Sequence, residues 1–217
     1  MKDRTQHTSL SRILLPLGFF ALLLSGGCDK DDSTVAPSKA GIFDGPPATL
    51  GNGTVTAYVE LDAAGTPIKL GLRFKEAALS GLPTSDSMNI VMVRFPSQAA
   101  GLPFTHSMVD WLPHGHPPAG VYDAPHFDMH FFLLSENERF AITAEDTVRG
   151  WKMPAANLIP PNFISAPELF PTIGVYWVDI TGSEFNGIPF TRAMQWGFWD
   201  GRQVFIQTVV SKAFMEQ

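Results

Sequence analysis

Cysteine is all but missing from this sequence: Cys28 is the single one among 217 residues. No internal disulfide can form, and a folded domain downstream of it has no thiol for nucleophilic catalysis. Basic clusters are missing as well. Lys and Arg number 15 against 21 Asp and Glu, a net charge of −6, and a phosphate backbone has no patch to bind, so nucleic acid is excluded as a partner. Long apolar runs are scarce too. Ile13–Leu24, interrupted only by Pro16 and Gly18, is 12 residues long, where a helix crossing a bilayer needs roughly 20. There is no G-x-S-x-G nucleophile elbow, no internal repeat, and G-N-G at 51–53 reads as a turn rather than a phosphate loop. Histidine is absent after position 130.

The short apolar run sits behind a basic start (Lys2, Arg4, Arg12) and ahead of small residues, Ser25-Gly26-Gly27, that precede Cys28. This is the order of a bacterial lipoprotein signal peptide, 1–27, with Cys28 as the residue that receives lipid. Serine three positions before the cysteine departs from the usual leucine. The expectation is an exported protein of the cell envelope, held to a membrane through its lipidated N-terminus. Removing residues 1–27, with three bases and one acid, takes the net charge from −6 to −8.

Residues 28–48 are small, charged or proline-bearing with no apolar period, and read as a flexible tether. Asp29, Asp31 and Asp32 lack the glycine and distal glutamate of a calcium loop. From 49 to 217 the pattern is that of strands. Val55, Ala57, Val59 and Leu61 alternate with polar neighbours, D-A-A-G-T-P turns the chain, and Ile68, Leu70, Leu72 and Phe74 return. Further strands are expected over 88–95, 104–112, 174–180, 190–199 and 203–211, with W-D-G-R as a tight hairpin turn. Residues 75–81 suit one or two helical turns, Ser135 and Glu138 form a capping box for a short helix, and 151–171, with five prolines, reads as a long loop. Trp177, Trp196, Phe198 and Trp199 fit core positions on these strands. The whole is a mainly β chain: a single antiparallel β-sandwich or barrel with one or two short helices.

Five of the six histidines, at 106, 114, 116, 126 and 130, crowd one stretch. Imidazole is the commonest protein metal ligand, so this is the functional centre of the sequence. Pro113, Pro117, Pro118 and Pro125 make the loop over 113–125 stiff enough to hold ligands in place. Residues 126–134 have two readings. As a helix, His126 and His130 stand at the spacing of H-E-x-x-H, with Phe127 where the catalytic glutamate belongs. As a strand, His126, Asp128 and His130 share one face while Phe127, Met129, Phe131 and Leu133 form an apolar one, and that clean period of two favours the strand. Alternate strand residues lie about 6.7 Å apart and positions four apart about 13 Å, near the limit of two imidazole arms. One or two strand ligands plus His114 or His116 from the loop is therefore the economical arrangement, with Asp128 as ligand or orienting acceptor, and the expected metal set is His116, His126 and His130, with His114 and Asp128 as additions. Zinc, iron, manganese or nickel would suit such a set. His106 is the weakest candidate and is placed to face Asp110. Tyr122 could add a hydroxyl beside the loop. If the chain is an enzyme, a metal-bound water is its natural reactive species. The other class of reading is a non-catalytic binding or homo-oligomer-forming envelope module whose histidines brace the loop.

The run D-W-L-P-H-G-H-P-P-A-G-V-Y-D-A-P-H-F-D-M-H-F-F resembles a bacterial family of unknown function typified by a hypothetical protein of Thermus, with a pattern close to D-W-N-P-x-G-H-x-P-x-x-x-Y-x-x-P-H-F-D-x-H-F-Y. The likeness extends from about Gly51 onward and implicates His116, Tyr122, His126, Asp128 and His130. Two later motifs of the family differ here. M-G-x-H-W-x-D is I-G-V-Y-W-V-D at 173–179, and a glutamate before P-M falls in I-Q-T-V-V at 206–210. Tyr176 thus stands in place of a histidine and Gln207 in place of a carboxylate, which implies a weakened metal shell if those positions complete one in relatives. The resemblance implies no activity.

Overall fold

The structure, a computed structural model, describes residues 39–85 and 89–217. The expected signal peptide, Cys28 and the first part of the expected tether lie outside these residues. Two antiparallel sheets make up the fold. In the first, the long β3 (Gly53–Leu61) is central: β4 (Pro67–Phe74) pairs along one edge, and β1 (Gly41–Asp44) and β2 (Ala48–Leu50) share the other end to end. The alternation of β3 is realised, with Val55, Ala57, Val59 and Leu61 buried.

The second sheet has seven strands in the order β5 (Ile90–Val93), β6 (His106–Leu112), β7 (His126–Phe132), β11 (Arg202–Ser211), β10 (Arg192–Trp199), β9 (Val175–Asp179), β8 (Phe163–Ser165). Its outer strands do not meet, so the sheet is open, and the sandwich rather than the barrel describes the fold. Leu50, Val55 and Ala57 of the first sheet pack with Val93, Val109, Trp111, Phe127 and Met129 of the second to form the main core. Fully burying a side chain the size of Phe127 is worth about 1.5–3 kcal/mol, so this face fixes which way β7 points. His126, Asp128 and His130 must then occupy the opposite face.

That opposite face is buried too. The loop over 113–125, the short helices α1 (Glu136–Phe140) and α2 (Thr147–Gly150), and the segment after β9 accompany it, and a second core gathers Met108, Phe132, Leu134, Ile142, Trp199, Val204 and Phe205. Ser135 caps α1 with Glu138 reciprocating, as the S-E-N-E spacing predicts. A third short helix, α3 (Lys212–Met215), ends the chain. Between Trp199 and Arg202 the turn is tight, Asp200 at φ 51° and Gly201 at φ 70°, the left-handed pair that a two-residue hairpin requires.

Three local expectations are corrected. Gly41–Asp44 and Ala48, within the segment read as tether, are strand residues paired with β3. The loop over 151–171 contains β8 and a short 3-10 helix, Ala156–Leu158. Residues 88–95, 104–112 and 190–199 begin their strands two residues late, at Ile90, His106 and Arg192, with Met88 outside the described residues.

Candidate metal centre

Gly115 makes the loop possible. Its φ is 72°, and a Cβ there would come within 2.0 Å of the Tyr122 carbonyl oxygen. Only glycine allows that approach, which lets the His116 amide donate to the Tyr122 carbonyl at 3.0 Å. The loop is thereby folded back over the start of β7. Tyr122 is its anchor: the ring packs on His116 at 5.4 Å and on Phe190 at 5.2 Å, and the buried hydroxyl donates to Glu184 at 3.1 Å. Burial and the neighbouring Glu184 carboxylate push the phenol well above its ordinary pKa, so it stays a donor.

Both imidazoles here are oriented by carbonyls. His116 Nδ1 lies 2.6 Å from the Pro117 carbonyl oxygen, and His126 Nδ1 lies 2.7 Å from that of Ala124. A carbonyl only accepts, so in each neutral ring the proton is assigned to Nδ1 and the lone pair to Nε2. The two Nε2 atoms point at one carboxylate: His116 Nε2 is 3.6 Å from Asp128 Oδ2, and His126 Nε2 is 3.5 Å from Asp128 Oδ1. The rings stand nearly perpendicular, 81°, with centroids 4.8 Å apart. One ligand atom from each of His116, His126 and Asp128 falls within 4.8 Å of the others.

Lone pairs facing a carboxylate repel unless something positive lies between them. His126 Nε2 and Asp128 Oδ1 are both buried without a hydrogen-bond partner. Tetrahedral zinc with bonds of 2.0–2.1 Å would set its ligand atoms about 3.4 Å apart, close to the two His–Asp separations, which run to different oxygens of Asp128, with the three ligand atoms all within 4.8 Å. A carbonyl on the far ring nitrogen is the usual means of orienting a metal-bound histidine. The residues thus fit a small divalent cation held by two nitrogens and a carboxylate, with further positions left for water or a ligand.

The electrostatics agree with that polarity. Burial pulls His116 down, but Asp128, the Pro117 carbonyl and Asp110 outweigh it, and its pKa is raised. His126 is lowered, by burial first, with Asp128 opposing. Asp110, paired across strands with Asp128, is pushed up to about 6 by burial and by the Asp128 charge.

The structure separates the other histidines from this group. His114 is exposed on the loop and contributes no atom to it. His130 is fully buried one row further along β7, stacked on Phe132 at 5.5 Å, with Nε2 3.0 Å from the Tyr176 hydroxyl; burial pushes it down to about 4. Tyr176 therefore touches the buried imidazole, not the group of three. Gln207, paired across strands with His130, is fully buried. His106 does not face Asp110. Its Nδ1 meets Thr105 Oγ1 at 2.8 Å and its Nε2 meets Arg139 Nη1 at 3.4 Å.

Asp110 and Glu184 were not picked out as site residues from the sequence. Asp110 was recoverable: pairing 106–112 against 126–132 as a hairpin puts it directly across from Asp128. No pattern announces Glu184, which lies in a short 3-10 helix, Ser183–Asn186, 62 residues from Tyr122.

Residues 62–111 match the family model TTHB210-like, described as Hypothetical protein TTHB210. The matched segment runs from just after β3 to Trp111, one residue short of the end of β6, so the loop and the group of three lie beyond it. The match agrees with the family expected from the sequence, over these residues alone. No curated protein and no solved structure matches the chain.

Proposed function

We propose that this chain is an exported, lipid-anchored envelope protein whose β-domain binds a divalent metal ion through His116, His126 and Asp128. One observation carries the metal reading: two imidazoles, each with Nδ1 committed to a carbonyl, turn Nε2 onto the buried carboxylate of Asp128, whose Oδ1 has no hydrogen-bond partner. This set replaces the broader sequence set, leaving His114 and His130 outside it. The competing occupant is a proton on His116, whose raised pKa would make the contact an ion pair with Asp128. In that reading the histidines are structural and the chain is a non-catalytic envelope module.

Elemental analysis of untagged protein separates the two. A bound ion predicts near-stoichiometric metal that is lost in His126→Ala. It also predicts that saturating Zn²⁺ stabilises the wild type, by about 2.7 kcal/mol at a hundredfold excess over Kd. Protein with well under one ion per chain, and a urea midpoint unmoved by added Zn²⁺, would leave the proton as the occupant. Should the ion bind with an open position, its polarised water is the reactive species the centre would supply.

A further inference from the structure

Nine buried polar side-chain atoms lack a partner among the described residues, and six of them share one face of three neighbouring strands. They are Asp110 Oδ1 on β6, His126 Nε2, Asp128 Oδ1 and His130 Nδ1 on β7, and both amide atoms of Gln207 on β11. Native interiors leave few such atoms, and a concentration of them marks a place where something else binds. A cation at the group of three accounts for His126 Nε2 and Asp128 Oδ1. It does not account for Gln207 and His130, whose row lies about 6.7 Å further along the strand.

Those two side chains are directly paired across β7 and β11, so their Cβ atoms are about 4.5–5.5 Å apart on the same face. They nevertheless form no hydrogen bond with each other. The His130 ring is held by Tyr176 at Nε2 and by the stack on Phe132, so it cannot turn away. Gln207 is 0 % exposed, which denies its amide any bulk water. Both amide atoms of Gln207 and the free ring nitrogen of His130 therefore lie unpartnered at adjoining positions, one row from the group of three.

We propose that the centre continues along β7 into a polar subsite built by Gln207 and His130, which takes the uncharged hydrogen-bonding end of a ligand whose other end binds the cation. Gln207 is a carboxamide, and its complement is a group that both donates and accepts: an amide or a hydroxyl. An anionic tail is disfavoured, because Asp110 and Asp128 occupy the adjoining row. The inference rests on the metal-centre reading. An amide kept dry and unpaired costs stability, and tolerating one is the usual signature of a binding group.

The test uses the full chain loaded with Co²⁺, whose visible absorption reports ligand exchange, with succinamate, a carboxylate carrying an amide at its far end, as the probe and butyrate as the control lacking the amide. Gln207→Leu is expected to weaken succinamate about tenfold or more, the loss of roughly one good hydrogen bond, while Co²⁺ affinity and butyrate binding stay unchanged. The urea midpoint of the metal-free variant is expected to rise. Co²⁺ binding with equal succinamate affinity in both proteins would overturn the subsite and leave the metal centre standing. Failure of the wild type to bind Co²⁺ would overturn both. If Gln207→Leu does not fold, Gln207→Met, closer in shape, carries the same comparison.

Discussion

Acidification is expected to destabilise this domain, and the size of the effect follows from its buried imidazoles. His106 is 1 % exposed, stacked on Phe132 at 4.7 Å, with Nε2 turned to the Arg139 guanidinium. A second proton would set one cation against another. Burial first, and Arg139 second, push His106 down to about 4, and burial does the same to His130. Both folded-state values lie below the ordinary 6.5. Between pH 6.5 and 4 the unfolded chain therefore binds more protons, and stability is lost as pH falls through that window. At pH 5 each histidine costs about 1.4 kcal/mol per unit over one and a half units, so about 2 kcal/mol each and about 4 together. Asp110 works the other way. Raised to about 6 by burial and Asp128, it is strained when ionised, and protonation at pH 5 returns about 1.5 kcal/mol. Across these three groups the histidines win, and the loss is about 2–3 kcal/mol of the 5–15 kcal/mol a domain commonly has, while His126, lowered by burial, adds to it and His116, raised despite burial, offsets it.

Urea unfolding followed by tryptophan fluorescence, at pH 7.5 and pH 5 with EDTA present, measures this directly. His106→Gln, which retains a donor and an acceptor for Thr105 and Arg139, should shrink the pH-dependent loss by about 2 kcal/mol whatever it costs at neutral pH. A variant that loses as much stability between the two pH values as the wild type would refute the assignment. So would a wild type more stable at pH 5.

Two further outcomes are expected. Gly197→Ala would place a Cβ 1.9 Å from Phe205 Cε1, inside a buried aromatic cluster that also holds His130 and Tyr176, and should cost about 1–3 kcal/mol or more by urea denaturation. Adding Phe205→Leu should recover part of that loss, and strict additivity in the double variant would contradict the steric cause. Cys28→Ser should move the exported protein from the membrane to the soluble fraction on cell fractionation; retention in the membrane would contradict lipid anchoring.

Strand identity was legible wherever one face meets the core, because burial enforces a period of two. Val55 to Leu61 and Phe127 to Phe131 show this. The capping box at Ser135 and the W-D-G-R turn were legible because their chemistry is local. β1 was not: Gly41–Asp44 is four residues long, and its partner Tyr58–Leu61 lies across a stretch of chain that no local pattern encodes. At the site, sequence placed His126 and Asp128 on one face and made His116 a loop partner. The separation of His130 follows from arithmetic available beforehand, since four strand residues span about 13 Å. What sequence could not supply was the register of β7 against β11, which seats Gln207 beside His130. Nor could it show that Gly115 folds His116 back to Asp128 rather than presenting His114.

β7 is hydrogen-bonded on both sides, to β6 and to β11, whereas His116 rides on a loop tied down mainly by Tyr122. The pincer around Asp128 accordingly has one jaw fixed by the sheet and one fixed only by the proline-stiffened loop and its latch. Ions of unequal radius would be met by movement of the loop, while the sheet keeps its shape. Discrimination among ions of similar charge would then depend on how much bending the Gly115–Tyr122 latch allows.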